Sequence, residues 1–492
     1  MKDFLIYKYL LCSFFLASFT IGCNSKGNNS DIAYIGGEII NPKNKKITLY
    51  NTKGKVADTF TLDTNNRFLH KIENLQPGLY SIRHGGEYQM VLLEPNDSIM
   101  FRLNTYDFDG SLVFTGKGAK KNNYLIKTYL TNEKEAKKLN TYAQREPEDF
   151  DNFIEKRRLS RLNEFETFLE NNDETPFFQS IIEANINYNA YADKEIYPFA
   201  YFGNNKLVHI KDLPENFYNY RTTVDYNANH LSNFFSYNRF LFFHIDNLAL
   251  KAFYDKNPFH SKFDRHSAEY NKAKLDIIDS LVEDETIKNN LLKYKARDYI
   301  SYNHSEVEAQ EMLDYYLEKS TDDEHKTYMN DLMASLRLLR KGNPLPDLTV
   351  VNYDDKETAL SSIITKPTII YFWTSNRKSQ YRNSHYKVKE LKLKFDNMDF
   401  ISVNINDNDD EFWKNIIKQY DFPTTCEYKF KNSKKAQQTL ALNYLNKAII
   451  VDETGHILHP NANIYNSEFN ILLSESVVIF TFLMIFVIFH HF

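Results

Sequence analysis

Cysteine is nearly missing from this chain of 492 residues, which carries only Cys12, Cys23 and Cys426. Three cysteines cannot build a disulfide framework. Charge of one sign is missing too: a net charge of -5 over this length predicts neither nucleic acid nor a strongly acidic partner. The interior has no apolar run long enough to span a bilayer, and FFSYNRFLFF at 234–243 is short and interrupted, so it reads as core. Phosphate-loop chemistry is excluded at Gly116-Lys117-Gly118. Gly110 to Gly116 is one residue too long for that motif and no hydroxyl follows Lys117, so the stretch reads as a strand-end turn. The acidic run Asn404 to Glu411, NINDNDDE, lacks the glycine a calcium loop needs and reads as a helix cap with solvated acids. His456 and His459 flank Ile457-Leu458 at a spacing too common to mark a metal site. No Ser/His/Asp arrangement or paired carboxylates can be assigned, and neither metal nor cofactor is expected.

What is present is enough for two to four domains, with 42% hydrophobic, 25% charged and 15% aromatic residues. The first residues, MKDFLIYKYLLCSFFLASFTIGC, give Lys2 and Lys8, an apolar core from Tyr9, and Ile21-Gly22 ahead of Cys23. That is a charged start, a greasy middle and a small-residue cleavage context, so 1–22 reads as a signal peptide. A cysteine directly after Gly22 resembles a bacterial lipobox, although Thr20 stands where Leu is usual. The resemblance implies that Cys23 is the lipidated first residue of the mature chain. The competing readings are a plain secretory signal or an N-terminal membrane helix, and the apolar core is shorter than the ~20 residues a span needs. Polar residues follow, so 23–32 is expected to be a lipidated tether. No acidic run follows Cys23 of the kind that resembles a surface-export signal, which favours a periplasm-facing anchor. Only Cys426 then remains, and a dithiol reaction needs two thiols.

From Ala33 to Gly118 the text is strand-like. Ile99, Phe101 and Leu103 alternate with polar neighbours, as do Leu112 and Phe114, and Asn41-Pro42, Asn65-Asn66, Gln76-Pro77-Gly78 and Glu94-Pro95-Asn96-Asp97 punctuate the runs. This predicts a small antiparallel β-sandwich over 33–118. The order GEI, RFLHKIENLQPGLYSI, VLLEPNDSIMF, LVFTGKGAKKNNYL resembles the N-terminal β-domain of Bacteroidota envelope lipoproteins that carry a thioredoxin-like domain downstream. Residues 119–340 change to helical spacing, as in Leu275, Ile278, Leu281 with Val282, and Met329, Leu332 with Met333, and Leu336. They predict a helical middle domain without a repeat period.

At 341–348, KGNPLPDL, two prolines and a glycine mark a boundary. A strand Thr349-Val350-Val351 follows, then an Asp354-Asp355 turn, Leu360 to Ile364, and a buried strand Pro367 to Trp373. After a polar turn come a helix from about Tyr381 to Phe395, a strand Phe400 to Asn404, a helix from Asp409 to Tyr420 capped by Asp409 or Asp410, and a closing hairpin Ala448 to Ile457. This order resembles the thioredoxin-like domains of the TlpA and ResA type over 341–475. The fold class expected is therefore multidomain: β-sandwich, helical middle domain, C-terminal α/β thioredoxin-like fold. The resemblance implies Cys-x-x-Cys in the turn, yet Arg377 falls where the attacking cysteine belongs and Gln380 where the resolving one does. Arginine offers no nucleophile and glutamine has no redox state. The resemblance also implies a cis-proline facing the turn. Asn446 stands there and is expected trans, since a non-proline cis bond costs about 2.5–4 kcal/mol. Cys426, beside Glu427, reads as a structural residue.

Two cations at a helix start are opposed by its dipole, by about 0.3–1 kcal/mol each. That makes Arg377, Lys378 and Gln380 a candidate anion- or partner-binding set for a carboxylate, a uronic acid or a phosphate. Alternatively, Ser375 and Asn376 cap the helix and both cations point into water. The tail 476–492, SVVIFTFLMIFVIFHHF, is near-continuously apolar but short for a span. It inserts in a bilayer, buries as a strand, or is a non-native ending. The whole reads as a cell-envelope lipoprotein facing the periplasm, held to the membrane by its lipid, with an envelope protein or an acidic glycan as partner. Its role is binding or scaffolding. The alternative that the resemblance implies is a periplasmic thiol–disulfide oxidoreductase.

Overall fold

A computed structural model describes residues 31–473, apart from 53, 202–206, 303–304, 407–409 and 467–468. Cys23, the 1–22 segment, the tether up to residue 30, Asp409 and the 476–492 tail lie outside the described residues.

The strand-like region forms β1 (Ala33–Ile40), β2 (Lys46–Tyr50), β3 (Val56–Thr61), β4 (Arg67–Ile72), β5 (Gly78–His84), β6 (Glu87–Leu93), β7 (Ser98–Asn104) and β8 (Val113–Lys117). They make two four-stranded sheets, β4-β1-β7-β8 and β3-β2-β5-β6. Pairing is antiparallel except between β1 and β7, which run parallel. Alternation along β7 sends Ile99, Phe101 and Leu103 inward against Ile35, Leu49 and Val91. The turn asparagines Asn41, Asn66 and Asn96 hold φ of 54°, 59° and 67°, a left-handed conformation asparagine tolerates. Strands β5 and β6 join through Gly85-Gly86, both at positive φ, which a two-residue hairpin requires.

The middle region supplies α1 (Ala119–Ala136), α2 (Pro147–Glu170), α3 (Pro176–Ala200), α4 (Phe235–Lys256), α5 (Ala268–Leu281), α6 (Glu285–Tyr302), α7 (Glu306–Lys319) and α8 (Asp323–Leu338). Side-chain caps fix several starts: Thr175 accepts from the Phe178 N–H, Ser267 from Tyr270, Ser305 from Glu308 and Asp322 from His325. FFSYNRFLFF opens α4, whose Tyr237, Phe240, Leu241 and Ile245 are fully buried. Among the described residues no helix is long and apolar enough to cross a membrane.

The last part contains β9 (Thr349–Asn352), β10 (Glu357–Ala359), β11 (Thr368–Trp373), α9 (Lys378–Lys392), β12 (Asp399–Asn404), α10 (Asp410–Gln419), β13 (Glu427–Phe430), α11 (Ser433–Thr439), β14 (Lys447–Val451) and β15 (Ile457–Asn463). Sheet order is β10-β9-β13-β12-β11-β14-β15, with β11, β12 and β13 mutually parallel and β14 antiparallel to β11. Helix α9 starts one turn before the expected Tyr381, because Lys378-Ser379-Gln380 is polar and invisible to apolar spacing. The fold class is thus N-terminal β-sheets, a central helical region and a C-terminal α/β thioredoxin-like domain. Strand β11 serves two cores by alternation: Ile369 and Tyr371 face one that includes Val388 and Leu391 of α9. Ile370 and Phe372 belong to a larger cluster that runs on through Leu339 and Met333 to α3 and α4.

Candidate functional site

Strand β11 ends at Trp373, and residues 374–377 turn the chain into α9 at the C-terminal edge of the parallel strands. Two asparagines brace this turn, Asn404 at the end of β12 and Asn406 just beyond it. Asn406 Oδ1 accepts from the Ser375 N–H at 2.7 Å and the Thr374 hydroxyl at 2.9 Å, and Asn404 Nδ2 donates to Ser375 Oγ at 2.8 Å. Ser375 is therefore taken up in the turn. The helix N-cap is Arg377 itself, with no side-chain cap, so the alternative in which Ser375 or Asn376 caps α9 is corrected. Arg377 and Lys378 are exposed, and no side-chain partner engages either among the described residues.

Gln380 is half-buried and points back under the turn. Its carbonyl accepts from the Thr374 N–H at 3.1 Å, and its amide donates to the Phe372 carbonyl at 3.0 Å and the Leu445 carbonyl at 3.4 Å. It thus ties β11 to the loop ahead of Asn446, the two segments whose approach defines this edge of the fold. Among the described residues no peptide bond is cis, Leu445-Asn446 included.

The one cysteine of this domain lies elsewhere. Cys426 sits just before β13, whose first residue Glu427 pairs with Ser402 midway along β12, so the thiol lies two strands to the side of β11 and below its C-terminal end. Burial pushes the Cys426 thiol up. The Lys392 ammonium, 3.6 Å from Sγ, opposes that and Glu427 adds to it. Burial outranks the Glu427 carboxylate that the sequence singled out.

Behind the turn lies a polar cluster with only a faint trace in the sequence. His385 Nε2 meets Glu427 Oε1 at 3.0 Å and Ser402 Oγ at 3.3 Å, while Phe422 stacks on the imidazole with ring centres 3.7 Å apart. Glu427 and Ser402 are fully buried, and burial raises the Tyr371 phenol well above its ordinary value. A serine inside the apolar strand FISV was the available signal.

The face beside the turn is covered from within the chain. The β5–β6 hairpin places Gly86 against Asn376, so close that a Cβ on Gly86 would stand 1.9 Å from Asn376 Cγ. Lys43, paired with Glu87 at 2.5 Å, hangs 5.8 Å over the Phe412 ring of α10. His456 bonds within its own turn, to Thr454 Oγ1 at 2.7 Å. Among the described residues no group of three or more His, Cys, Asp or Glu could hold a metal.

A thioredoxin-like family model matches residues 365–457, which include the turn, Gln380, Cys426 and Asn446. The thioredoxin domain of a thiol-disulfide oxidoreductase from Bacteroides vulgatus is similar over 28% of this chain and 99% of its own, at 16% identity and a TM-score of 0.25. A thiol-disulfide oxidoreductase from Bacteroides fragilis is similar over 27% of this chain and 97% of its own, at 20% identity and 0.23. An uncharacterized thioredoxin-like protein from Porphyromonas gingivalis is similar over 27% and 88%, at 19% identity and 0.23. Likenesses of this strength say nothing about activity. No curated protein matches the chain. The domain belongs to the thioredoxin-like class by fold and lacks that class's cysteine pair.

Proposed function

We propose that this chain is an envelope lipoprotein, tethered by a lipid on Cys23 and facing the periplasm, whose thioredoxin-like domain binds or scaffolds instead of exchanging disulfides. The observation that carries the reading is the fate of the turn. The first sulfur position is an exposed arginine, the second a glutamine bonded into the backbone, and the remaining thiol lies beside β13, two strands away from the turn's own strand. Gln380 is spent on the fold, so the anion-recognising pair reduces to Arg377 and Lys378, whose chemistry fits a carboxylate of an envelope protein or an acidic glycan. The Gly86 hairpin leaves a partner access along the Arg377–Ser379 edge.

Two readouts test this. The purified mature chain is expected to leave insulin disulfides intact, and turnover that persists in Cys426→Ala would sink the binding reading. Wild type is expected in the membrane fraction and Cys23→Ser in the soluble periplasmic fraction. Unchanged membrane association of the variant would remove the lipid anchor or assign it to the 476–492 tail.

A further inference from the structure

The middle helices line a half-open cavity of about 1040 Å³ that no residue of the turn borders. Its polar wall is Asp246 on α4, Lys274 on α5 and Lys295 on α6, and Phe199, Phe242, Phe243 and Tyr270 supply an apolar wall. A single oxygen, Asp246 Oδ1, receives both ammonium groups, from Lys274 at 3.0 Å and Lys295 at 2.7 Å. Lys295 also donates to the Phe242 carbonyl at 2.9 Å and Lys274 to Asn271 Oδ1 at 3.1 Å. An ammonium has three hydrogens, and with Lys295 Nζ 3.2 Å over the Phe242 ring and Lys274 Nζ 4.1 Å over the Tyr270 ring each lysine keeps one that meets no oxygen or nitrogen acceptor. Both residues are buried, at 9% and 4% exposure.

Two cations on one carboxylate leave a positive charge where charge is expensive to bury. The other acids of the wall are engaged. Asp298 accepts from the Tyr444 hydroxyl at 2.8 Å and Arg297 at 3.2 Å, and Glu308 accepts from the Tyr299 hydroxyl at 3.0 Å. At the mouth, beside His266, the exposed Arg265 guanidinium lies 5.8 Å over the Phe199 ring and meets no carboxylate among the described residues. With Lys274 absent, Asp246 and Lys295 would form a neutral pair, so the second lysine is surplus to the fold.

We propose that this cavity binds an amphipathic carboxylate, its head on the spare hydrogens of Lys274 and Lys295 and its body against Phe199, Phe242, Phe243 and Tyr270. Arg265 draws the anion to the mouth. Burial pushes Lys295 down to about 8; Asp246 opposes that and Lys274 adds to it. The body is an acyl chain or an aromatic ring, and the test separates the two.

The purified mature chain is titrated calorimetrically with dodecanoate and with 3-phenylpropionate, and with dodecanol and dodecyltrimethylammonium as controls. One acid is expected to bind with a Kd below about 1 mM, and neither control should. Lys274→Met is expected to weaken that acid at least about tenfold while leaving Tm unchanged or higher. Arg265→Gln is expected to weaken it less and to flatten its salt dependence. If Lys274→Met does not fold, Lys295→Met, which leaves Asp246 one lysine, takes its place. No binding by either acid, equal binding of dodecanol, or full affinity in the folded lysine variant overturns the proposal.

Discussion

The carboxamide of Gln380 engages the Thr374 N–H and the Phe372 and Leu445 carbonyls, whereas the exposed Arg377 guanidinium, three residues earlier, makes no hydrogen bond or ion pair among the described residues. The two positions a sulfur pair would occupy have therefore parted company. Truncating Gln380 to Ala strands two inward-facing carbonyls and one N–H, a loss of about 1–3 kcal/mol. Arg377→Gln removes an exposed charge and should change stability by under about 0.5 kcal/mol. Urea unfolding of both variants, beside titration with polygalacturonate at low and moderate salt, reads the contrast. Gln380→Ala should lose stability, and Arg377→Gln should lose only the salt-sensitive anion affinity. A stable Gln380→Ala, or an Arg377→Gln that binds as wild type does, would contradict one half or the other. Sequence position alone located both residues, but their division of labour was hidden. Asn404 and Asn406, which brace the turn, lie about thirty residues beyond it, in a run that reads as solvated acids. Glu195 was equally opaque. YADKEIY looks like a helix surface, yet its carboxylate is fully buried and takes Arg221 Nε at 2.9 Å, the Tyr220 hydroxyl at 2.8 Å and His244 Nδ1 at 2.7 Å.

Among elements, β7, β11 and α4 were legible because alternation or apolar density is a property of a short window. The parallel pairing of β1 with β7 was not, since it is a long-range choice that no window contains. Strand β14 carries a second surprise at its first residue. Lys447 is buried, donates to the Leu440 and Ala441 carbonyls at the end of α11, and is pushed by burial down to about 7. A lysine depressed in the folded state binds fewer protons there than in the unfolded chain between about pH 7 and its ordinary value of 10.5. Stability from this group must then rise with pH across that window, with the full penalty of the buried charge present below pH 7. At about 1.4 kcal/mol per pH unit as an upper bound, the slope is measurable. Denaturation of wild type and Lys447→Met at acid, neutral and alkaline pH should show a rising difference in favour of wild type. A difference independent of pH would mean that the ammonium stays charged throughout, held by the two carbonyls.

Across the whole molecule, the β5–β6 hairpin and the turn before α9 meet at Gly86 and Asn376, although 290 residues separate them in the chain. Gly86 has φ of 88°, so Gly86→Ala adds both backbone strain and a collision with Asn376. A destabilisation of about 2–3 kcal/mol is expected, of which Asn376→Gly should recover the steric share and leave about 1 kcal/mol of strain. The double-mutant cycle, run by thermal or urea unfolding, reads the contact directly. Additive effects would mean that the hairpin and the turn do not touch in solution.

The core that takes one face of β11 continues into α8 and on to α3 and α4, so one face of the C-terminal sheet shares its core with the middle helices. A gene fragment for 341–473 would therefore carry Ile370, Phe372, Ile449 and Val451 with only part of the core they belong to. Recombination that moved this domain to another gene would deliver an incomplete part. The lineage of such a chain is expected to lengthen, shorten and diverge at its surface loops while its three regions are inherited as one piece. In that inheritance a turn without the cysteine pair can drift toward whatever the neighbouring hairpin best fits.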